Sequence, residues 1–345
     1  MRVLVSTYDF APQIGGTETA CLTLCDGLVS RGHDVTVVTN TPAAPGTKDR
    51  YPFEVVRLPS LLEQARLVRA HDVLWQNGLC LRLPGLFTSL TPKVFVHHLP
   101  PQHLHIQRLV CRTGTNVYIS RMMQATIGLP GVVIPNSYDE DIFRLLPEVP
   151  RNLDFAYVGR LVPEKGVDVF IDALARLGSR RFTATIIGAG PEEERLKAQV
   201  QASGLADRVT FPGIVRGDAL ARLLNRHRVL VVPSRWEEPF GIVALEGAAC
   251  DCVVVGTQSG GLVEAVGPCG PLVPKEDPQA LAAALARLAD HPEELASFRG
   301  KAPAHLQRFT RKRLIDASER LLHDLVSTAK SPSVAARRAD TTIGN

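Results

Sequence analysis

Short apolar runs alternate with amphipathic helical patterns along nearly the whole chain, and this alternation narrows the choice of fold more than any other feature. Runs that are apolar throughout, rather than at every second residue, belong to strands covered on both faces. They point to parallel sheets flanked by helices. In the first half, strands are expected near residues 2–6, 34–39, 54–58, 72–76, 93–97, 116–119 and 132–134. The pattern restarts at Asp154-Phe-Ala-Tyr-Val158 and continues near 183–187, 208–211, 229–232, 252–255 and 271–273. Between the halves lies Leu145-Leu-Pro-Glu-Val-Pro150, a proline-bearing connector with little helical or strand character. The expected fold class is α/β: two doubly wound, Rossmann-like parallel-sheet domains facing each other across a cleft, residues 1–147 and 148–308. An amphipathic helix over 309–328 follows and is expected to cross back to the first domain, with Leu314, Ala317, Leu321, Leu322 and Leu325 at helical spacing. Residues 329–345 are small, polar and basic without periodicity, and disorder is expected there.

The 345 residues suffice for two domains of ordinary size. Hydrophobic content of 45% with 21% charged residues is that of a soluble globular protein, and a net charge of +4 does not call for nucleic acid as a partner. The first apolar stretch, Val3-Leu-Val-Ser, is too short for a secretory h-region, so neither signal peptide nor membrane span is expected. Seven scattered cysteines without a C-x-x-C pair read as reduced thiols in a cytoplasmic protein.

Chemistry gathers where strands meet helices. The run Ser234-Arg-Trp-Glu-Glu-Pro-Phe-Gly-Ile-Val-Ala-Leu-Glu246 follows an apolar strand and opens a helix. Such a junction presents backbone N–H groups and a positive dipole end to whatever lies above it. Glu238 stands in the loop and Glu246 one turn into the helix, on the face of Ile242. Amides of Gly241, Ile242 and Val243 suit phosphate, and carboxylates suit hydroxyls, as a sugar joined to a nucleotide diphosphate would require. Tyr157-Val-Gly-Arg-Leu-Val-Pro-Glu-Lys-Gly166 places Gly159 between strand and helix beside two cations. Arg160 can grip a phosphate with two parallel hydrogen bonds and Lys165 adds a point charge, so together they would neutralise a departing diphosphate. Near the start, Gly15 and Gly16 precede Thr17, a helix-capping candidate, and Glu18. This is not G-x-G-x-x-G, so the dinucleotide fingerprint fails where it should occur.

Glu238 and Glu246, with Pro239-Phe240-Gly241 after the first, resemble the signature of family 4 retaining glycosyltransferases, which have the GT-B fold. The other motifs follow that family's order: the Gly-Gly-x-Glu opening loop, Gly-Arg-Leu-x-x-x-Lys-Gly, the loop with Gly188 and Gly190, Phe211-Pro-Gly213 and Ser259-Gly-Gly. The resemblance covers roughly residues 1–325 and implies a role for each. Glu238 would contact donor-sugar hydroxyls and Glu246 the ribose. Phe211 and its neighbours would hold the base through backbone groups, and the loop of Gly188 and Gly190 would face the nucleotide. Gly15, Gly16 and Glu18 would lie against acceptor or donor phosphates. His97, at the end of a strand, would point at the donor sugar; His98 is the competing assignment, because a one-residue slip reverses the face. Ser120 either lines the cleft on the acceptor side or is a structural hydroxyl.

Two metal readings were weighed. Val96-His-His-Leu-Pro-Pro-Gln-His-Leu-His105 packs four histidines into ten residues, yet no nearby Cys or acid completes the set, and His103 and His105 would diverge on a helix. Asp139-Glu-Asp141 is a D-x-D, but it follows Val133-Ile-Pro-Asn-Ser-Tyr138, which resembles the family's Pro-Asn-Gly-Val-Asp loop with Ser137 in place of the usual Gly. Asp139 reads better as a loop or cap residue, and no metal ligand is expected. The resemblance implies transfer of a sugar from a nucleotide-diphosphate sugar to an unidentified acceptor hydroxyl with retention of configuration, and no required cofactor. Another enzyme of the same architecture, such as a nucleotide-sugar 2-epimerase or a phosphorylase, and a non-catalytic nucleotide-sugar binder stay open. Two basic amphipathic stretches, 61–69 and 105–110, either touch the inner face of a membrane or simply pack on the sheet.

Overall fold

The structure, a computed structural model, describes residues 1–12, 15–43, 50–78, 90–100 and 104–330. They group into two units: one joins Met1–Asn136 to the segment from Arg311 onward, and the other is Ser137–Thr310. The connector therefore packs wholly with the second unit, whereas the sequence reading divided the chain at 147. The Tyr138 N–H donates to the Phe309 carbonyl at 3.2 Å and the Leu146 N–H to Asn225 Oδ1 at 2.8 Å.

In the first unit the elements run β1 (Arg2–Thr7), α1 (Gly16–Ser30), β2 (Asp34–Thr39), β3 (Glu54–Arg57), α2 (Leu61–Ala70), β4 (Val73–Asn77), β5 (Lys93–His97), α3 (Leu104–Cys111), β6 (Thr115–Tyr118), α4 (Arg121–Ile127) and β7 (Gly131–Val133). All strand pairs are parallel, in the order β3-β2-β1-β4-β5-β6-β7. The central strands β4 and β5 are buried along their whole length, which is why they read as uninterrupted apolar runs. Ser60, at the mouth of α2, accepts the Glu63 N–H as an N-cap, and Ser120 does the same for the Met123 N–H at α4.

The second unit repeats the scheme: β8 (Leu153–Val158), a 3-10 turn at Pro163–Lys165, α5 (Val167–Ala175), β9 (Ala184–Ile187), α6 (Glu193–Ala202), β10 (Val209–Gly213), α7 (Gly217–Asn225), β11 (His227–Val232), α8 (Ile242–Ala249), β12 (Val253–Thr257), α9 (Leu262–Val266), β13 (Leu272–Val273), α10 (Pro278–Asp290) and α11 (Pro292–Leu306). Its strands are again all parallel, ordered β10-β9-β8-β11-β12-β13. Phe155, Tyr157, Phe170, Leu174 and Ile186 anchor the core between sheet and helices. Each sheet reverses its strand order once, between β1 and β4 and between β8 and β11. Neighbouring connections leave in opposite directions there, so a crevice opens beyond the strand ends.

The last helix, α12 (Arg311–Lys330), belongs to the first unit and packs on α1. Its buried stripe is Ile315, Ser318 and Leu322. Gly27 of α1 permits this approach, since a Cβ there would run into the Ile315 side chain. The tail expected to lack structure from 329 onward falls, from 331, outside the described residues. Leu322 is fully buried, so Leu322→Ala should cost the first unit about 2–5 kcal/mol. A urea-unfolding midpoint lowered accordingly checks this, and an unchanged midpoint would contradict the docking of α12.

Candidate functional site

The reversal point of the second sheet brings two loops side by side. One leaves β8 and passes Gly159 and Arg160 to the Pro163–Lys165 turn; the other leaves β11 and runs through Glu238 to α8. Because β8 and β11 are hydrogen-bonded neighbours, residues 73 positions apart meet: Lys165 Nζ lies 2.6 Å from Glu238 Oε1. The Ser234 hydroxyl donates to the same oxygen. Glu238 is 6% exposed, so this buried carboxylate is stabilised by one cation and one hydroxyl.

Arg235 laces the loops together. Its guanidinium grips both oxygens of Asp168 at 2.7 Å and donates to the Pro163 carbonyl at 3.0 Å, while its backbone N–H donates to the Glu164 carbonyl at 2.9 Å. Burial works to raise the Asp168 carboxyl, but the Arg235 contacts outweigh it and hold it below the usual range. The β12–α9 loop closes the far side: Thr257 Oγ1 donates to the Ser234 carbonyl at 2.8 Å, Ser259 Oγ to the Trp236 carbonyl at 2.7 Å, and the Gly261 N–H to the Glu238 carbonyl at 2.7 Å. Gly260 has φ +53°, and a Cβ there would strike the Glu238 carbonyl, so this loop needs glycine to come so close.

Arg160 is exposed, and its guanidinium makes no hydrogen bond or ion pair among the described residues. The Tyr157 hydroxyl fixes its backbone by donating to the Arg160 carbonyl at 2.9 Å. Gly159 abuts the β9–α6 loop, where a Cβ on Gly188 would meet the Gly159 carbonyl, while Gly190 approaches the Leu161 backbone in the same way. Phe211 is half-buried on the core, and the Gly188 N–H donates to the Gly213 carbonyl at 2.8 Å. Gly241, left-handed at φ 101°, starts α8, whose first-turn N–H groups of Ile242 and Val243 have no acceptor within the helix. Pro239 is buried, and Phe240 turns into the interior with its ring centroid 5.6 Å from that of Phe309.

Glu246, half-buried on α8, has its carboxyl pushed up to about 7, first by burial and then by the Asp139 carboxylate. Asp139 Oδ1 accepts the N–H groups of Asp141 and Ile142 at 3.1 and 3.4 Å, as a turn cap does.

At the reversal point of the first sheet, Asn77 ends β4 and reaches Thr7 Oγ1, at the end of β1, at 3.5 Å. Its Oδ1 accepts from His98 Nε2 at 2.8 Å. His98, with Trp75 and Asn77, lines a small cavity of about 20 Å³. His97 is instead held within the sheet, stacked on Tyr118 with centroids 4.9 Å apart and its Nε2 3.0 Å from Asn116 Oδ1. Burial pushes His98 down to about 4, aided by His97, and burial also lowers His97 against the Asn116 contact. Gly15, rather than Thr17, is the N-cap of α1, with the Glu18 side chain folded back over it. Ser120 is wholly buried as the α4 cap. His103 lies outside the described residues.

Sequence reasoning missed Asp168, Ser234, Arg235 and Asn77. Asn77 could have been found as the polar residue ending an apolar strand; Arg235 and Asp168 carry no signal until the loops are seen together.

Residues 152–291 match the family described as glycosyl transferases group 1. Over 166 residues the chain is 39% identical to the D-inositol 3-phosphate glycosyltransferase of Acidothermus cellulolyticus, covering 44% of this chain and 37% of that relative. Over 317 residues it is 29% identical to the GDP-mannose-dependent alpha-(1-6)-phosphatidylinositol monomannoside mannosyltransferase of Mycobacterium tuberculosis, covering 77% and 82%. The chain spans between 31% and 40% of the length of three curated relatives it matches. Sucrose-phosphate synthase from Thermosynechococcus elongatus superposes with a TM-score of 0.81 at 20% identity, over 95% of this chain and 99% of that one. Anabaena Alr3699/HepE, solved in complex with UDP, gives 0.79 at 22% identity, over 94% and 100%. These likenesses establish the fold, that of GT-B glycosyltransferases with two parallel-sheet α/β units.

The raised Glu246 carboxyl has a stability consequence. Between its ordinary value of 4.5 and about 7 the folded chain holds this proton and the unfolded chain does not, so stability falls as pH rises through that window. Glu246→Gln should match wild type below pH ~4.5 and exceed it above pH ~7 by up to roughly 3 kcal/mol. Urea-unfolding midpoints at pH 5 and pH 8 test this; equal differences at both would contradict the burial of the carboxyl.

Proposed function

We propose, on the premise that residues 152–291 are a group 1 glycosyl transferase domain, that the whole chain transfers a sugar from a nucleotide-diphosphate sugar to an acceptor hydroxyl with retention of configuration. One observation carries the reading: the Lys165–Glu238 contact at the β8–β11 reversal point, with the unengaged Arg160 on the adjoining loop. A buried carboxylate suits the hydroxyls of a sugar. Cations beside it suit the two phosphates, whose negative charge grows as the glycosidic bond breaks. In the proposed step, the bond from the anomeric carbon to the diphosphate oxygen breaks and one to the acceptor oxygen forms. The acceptor's proton passes to the departing diphosphate. Arg160 and Lys165 stabilise that leaving group in place of a divalent metal, Glu238 positions the sugar, and Glu246 takes the ribose. We assign donor binding to the second unit and acceptor binding to the first; of the two candidate histidines we favour His98 over His97, because His98 is the one bonded to Asn77 at the reversal point of the first sheet.

No described helix is long and apolar enough to cross a membrane. We place the protein in the cytoplasm, consistent with six buried free thiols among the described residues. A peripheral contact with anionic lipid is part of the same reading. Exposed Leu61 and Leu62 on α2, and Ile106 and Leu109 on α3, accompany Arg66, Arg69, Arg108 and Arg112.

A thermal-shift panel of UDP-, GDP-, ADP- and dTDP-sugars with EDTA present tests the donor site. One nucleotide class should raise the midpoint, consistent with about 2.7 kcal/mol at a hundredfold excess over Kd. Arg160→Ala should keep the unfolding midpoint and lower kcat by about 10²–10³-fold. Near-normal turnover in that variant, or a shift that appears only when manganese replaces EDTA, would overturn the assigned roles.

A further inference from the structure

A cluster of coordinating side chains lies in the first unit at the N-terminal edge of its sheet, opposite the strand exits. His33 ends the turn between α1 and β2 and is 8% exposed. Its Nε2 lies 2.8 Å from Glu319 Oε1, and its Nδ1 lies 3.4 Å from the Met1 amine. Glu319 and His323 stand one turn apart on α12, hence on the same face, and the His323 ring centroid is 5.7 Å from that of His33. One ligand atom from each of His33, Glu319 and His323 falls within 4.8 Å of the other two, and among the described residues no other trio of His, Cys, Asp or Glu does so.

We propose that His33, Glu319 and His323 bind a zinc ion that ties the α1–β2 turn to α12. Two imidazole nitrogens and a carboxylate oxygen are a zinc donor set, with water in the fourth position; calcium and magnesium would ask for more oxygens. Around a tetrahedral ion with bonds near 2.0–2.1 Å, ligand atoms sit roughly 3.3 Å apart. The His33–Glu319 contact therefore opens slightly, and His323, which is exposed, swings in. The ion replaces the proton that His33 and Glu319 share. The His33 hydrogen moves to Nδ1, or one proton is released if the ring was charged, and the long contact to the Met1 amine gives way.

The surroundings hold the carboxylate in place for this. Arg31 pairs with Glu319 Oε2 and with Asp316, leaving Oε1 for the ion, as outer partners orient metal-bound carboxylates. Lys312 also lies on Asp316 at 2.8 Å. The two cations, Arg31 and Lys312, are matched by Asp316 and Glu319, so an entering dication meets no excess of positive charge from these side chains. The ion would join segments nearly the length of the chain apart and fix α12 beside the ion pairs that Arg31 makes with it.

Zinc titration of the metal-free full-length chain against a chromophoric chelator tests the proposal, with wild type, His323→Ala and Glu319→Gln compared. His323 is exposed, so its loss leaves the core intact. The expected result is one ion per chain in wild type, affinity at least about tenfold weaker in each variant, and a zinc-dependent rise in unfolding midpoint that is largest in wild type. The histidines of 97–105 and the cysteine thiols are unchanged in both variants. No stoichiometric zinc in wild type, or an ion bound equally well by both variants, would overturn it.

Discussion

Parallel neighbours cannot be joined by a tight turn, and this constraint shapes everything at the candidate site. Each strand must be followed by a crossover, a helix in most of the described connections, before the chain re-enters the sheet in the same direction. All strands of a unit then release their connections at one edge. Where the strand order reverses, two of those connections diverge and leave backbone amides and loop side chains uncovered. In the second unit this happens between β8 and β11. Lys165 and Glu238, distant in sequence, are neighbours because their strands are. The first unit reverses between β1 and β4, and Thr7 and Asn77 meet there for the same reason.

A carboxylate as buried as Glu238 is costly to desolvate, by several kcal/mol before compensation. Lys165 and Ser234 both act on one of its oxygens. That compensation depends on the two loops keeping their register, which falls to Arg235. Its paired bonds to Asp168 and its contacts to the backbone at Pro163 and Glu164 join the start of α5 to the β11 loop. The ion pair at the surface of the site is thus worth less as a source of stability than as a clamp, since partly exposed pairs contribute little on their own. Its effect is to hold the buried pair in one geometry before any ligand arrives.

The fold was legible because its signal is repeated. Thirteen apolar runs in the sequence correspond to the thirteen strands of the two sheets, and periodicity placed the final helix within a few residues. Legibility was lost where the decisive contacts are long-range. The connector at 145–150 marked a division between the halves by its prolines, yet Asn225 binds Leu146 within it and Phe309 binds Tyr138 before it, and both lie in the second unit. Phe240 sits inside a motif that reads as ligand-facing, but an aromatic ring between two polar neighbours gives no sign of which way it turns until Phe309 is beside it. His97, the last residue of β5, and His98 differ by one position and so by one face. Only the pairing with Tyr118 and Asn116 on one side, and Asn77 on the other, separates them. That Arg160, Lys165 and Glu238 stand at the exits of β8 and β11 was readable from their place after apolar runs, whereas the contact between Lys165 and Glu238 was not.

The two sets of strand exits also differ in charge, and the difference bears on why one half of the chain is easier to place than the other. Among the described residues at the first unit's exits, Asn77 bonds to both Thr7 and His98, with the acids Asp9 and Glu18 on the loop after β1, and burial holds His98 neutral near pH 7. Thr7, Asn77 and His98 offer hydrogen bonds without charge, and many side chains of similar reach can supply one. The second unit presents Arg160, Lys165 and Glu238, where a diphosphate would need full charges at fixed positions and a glycine wherever backbone must approach backbone. Fewer sequences satisfy that demand. The match to the group 1 glycosyl transferases runs over residues 152–291, which contain these charges.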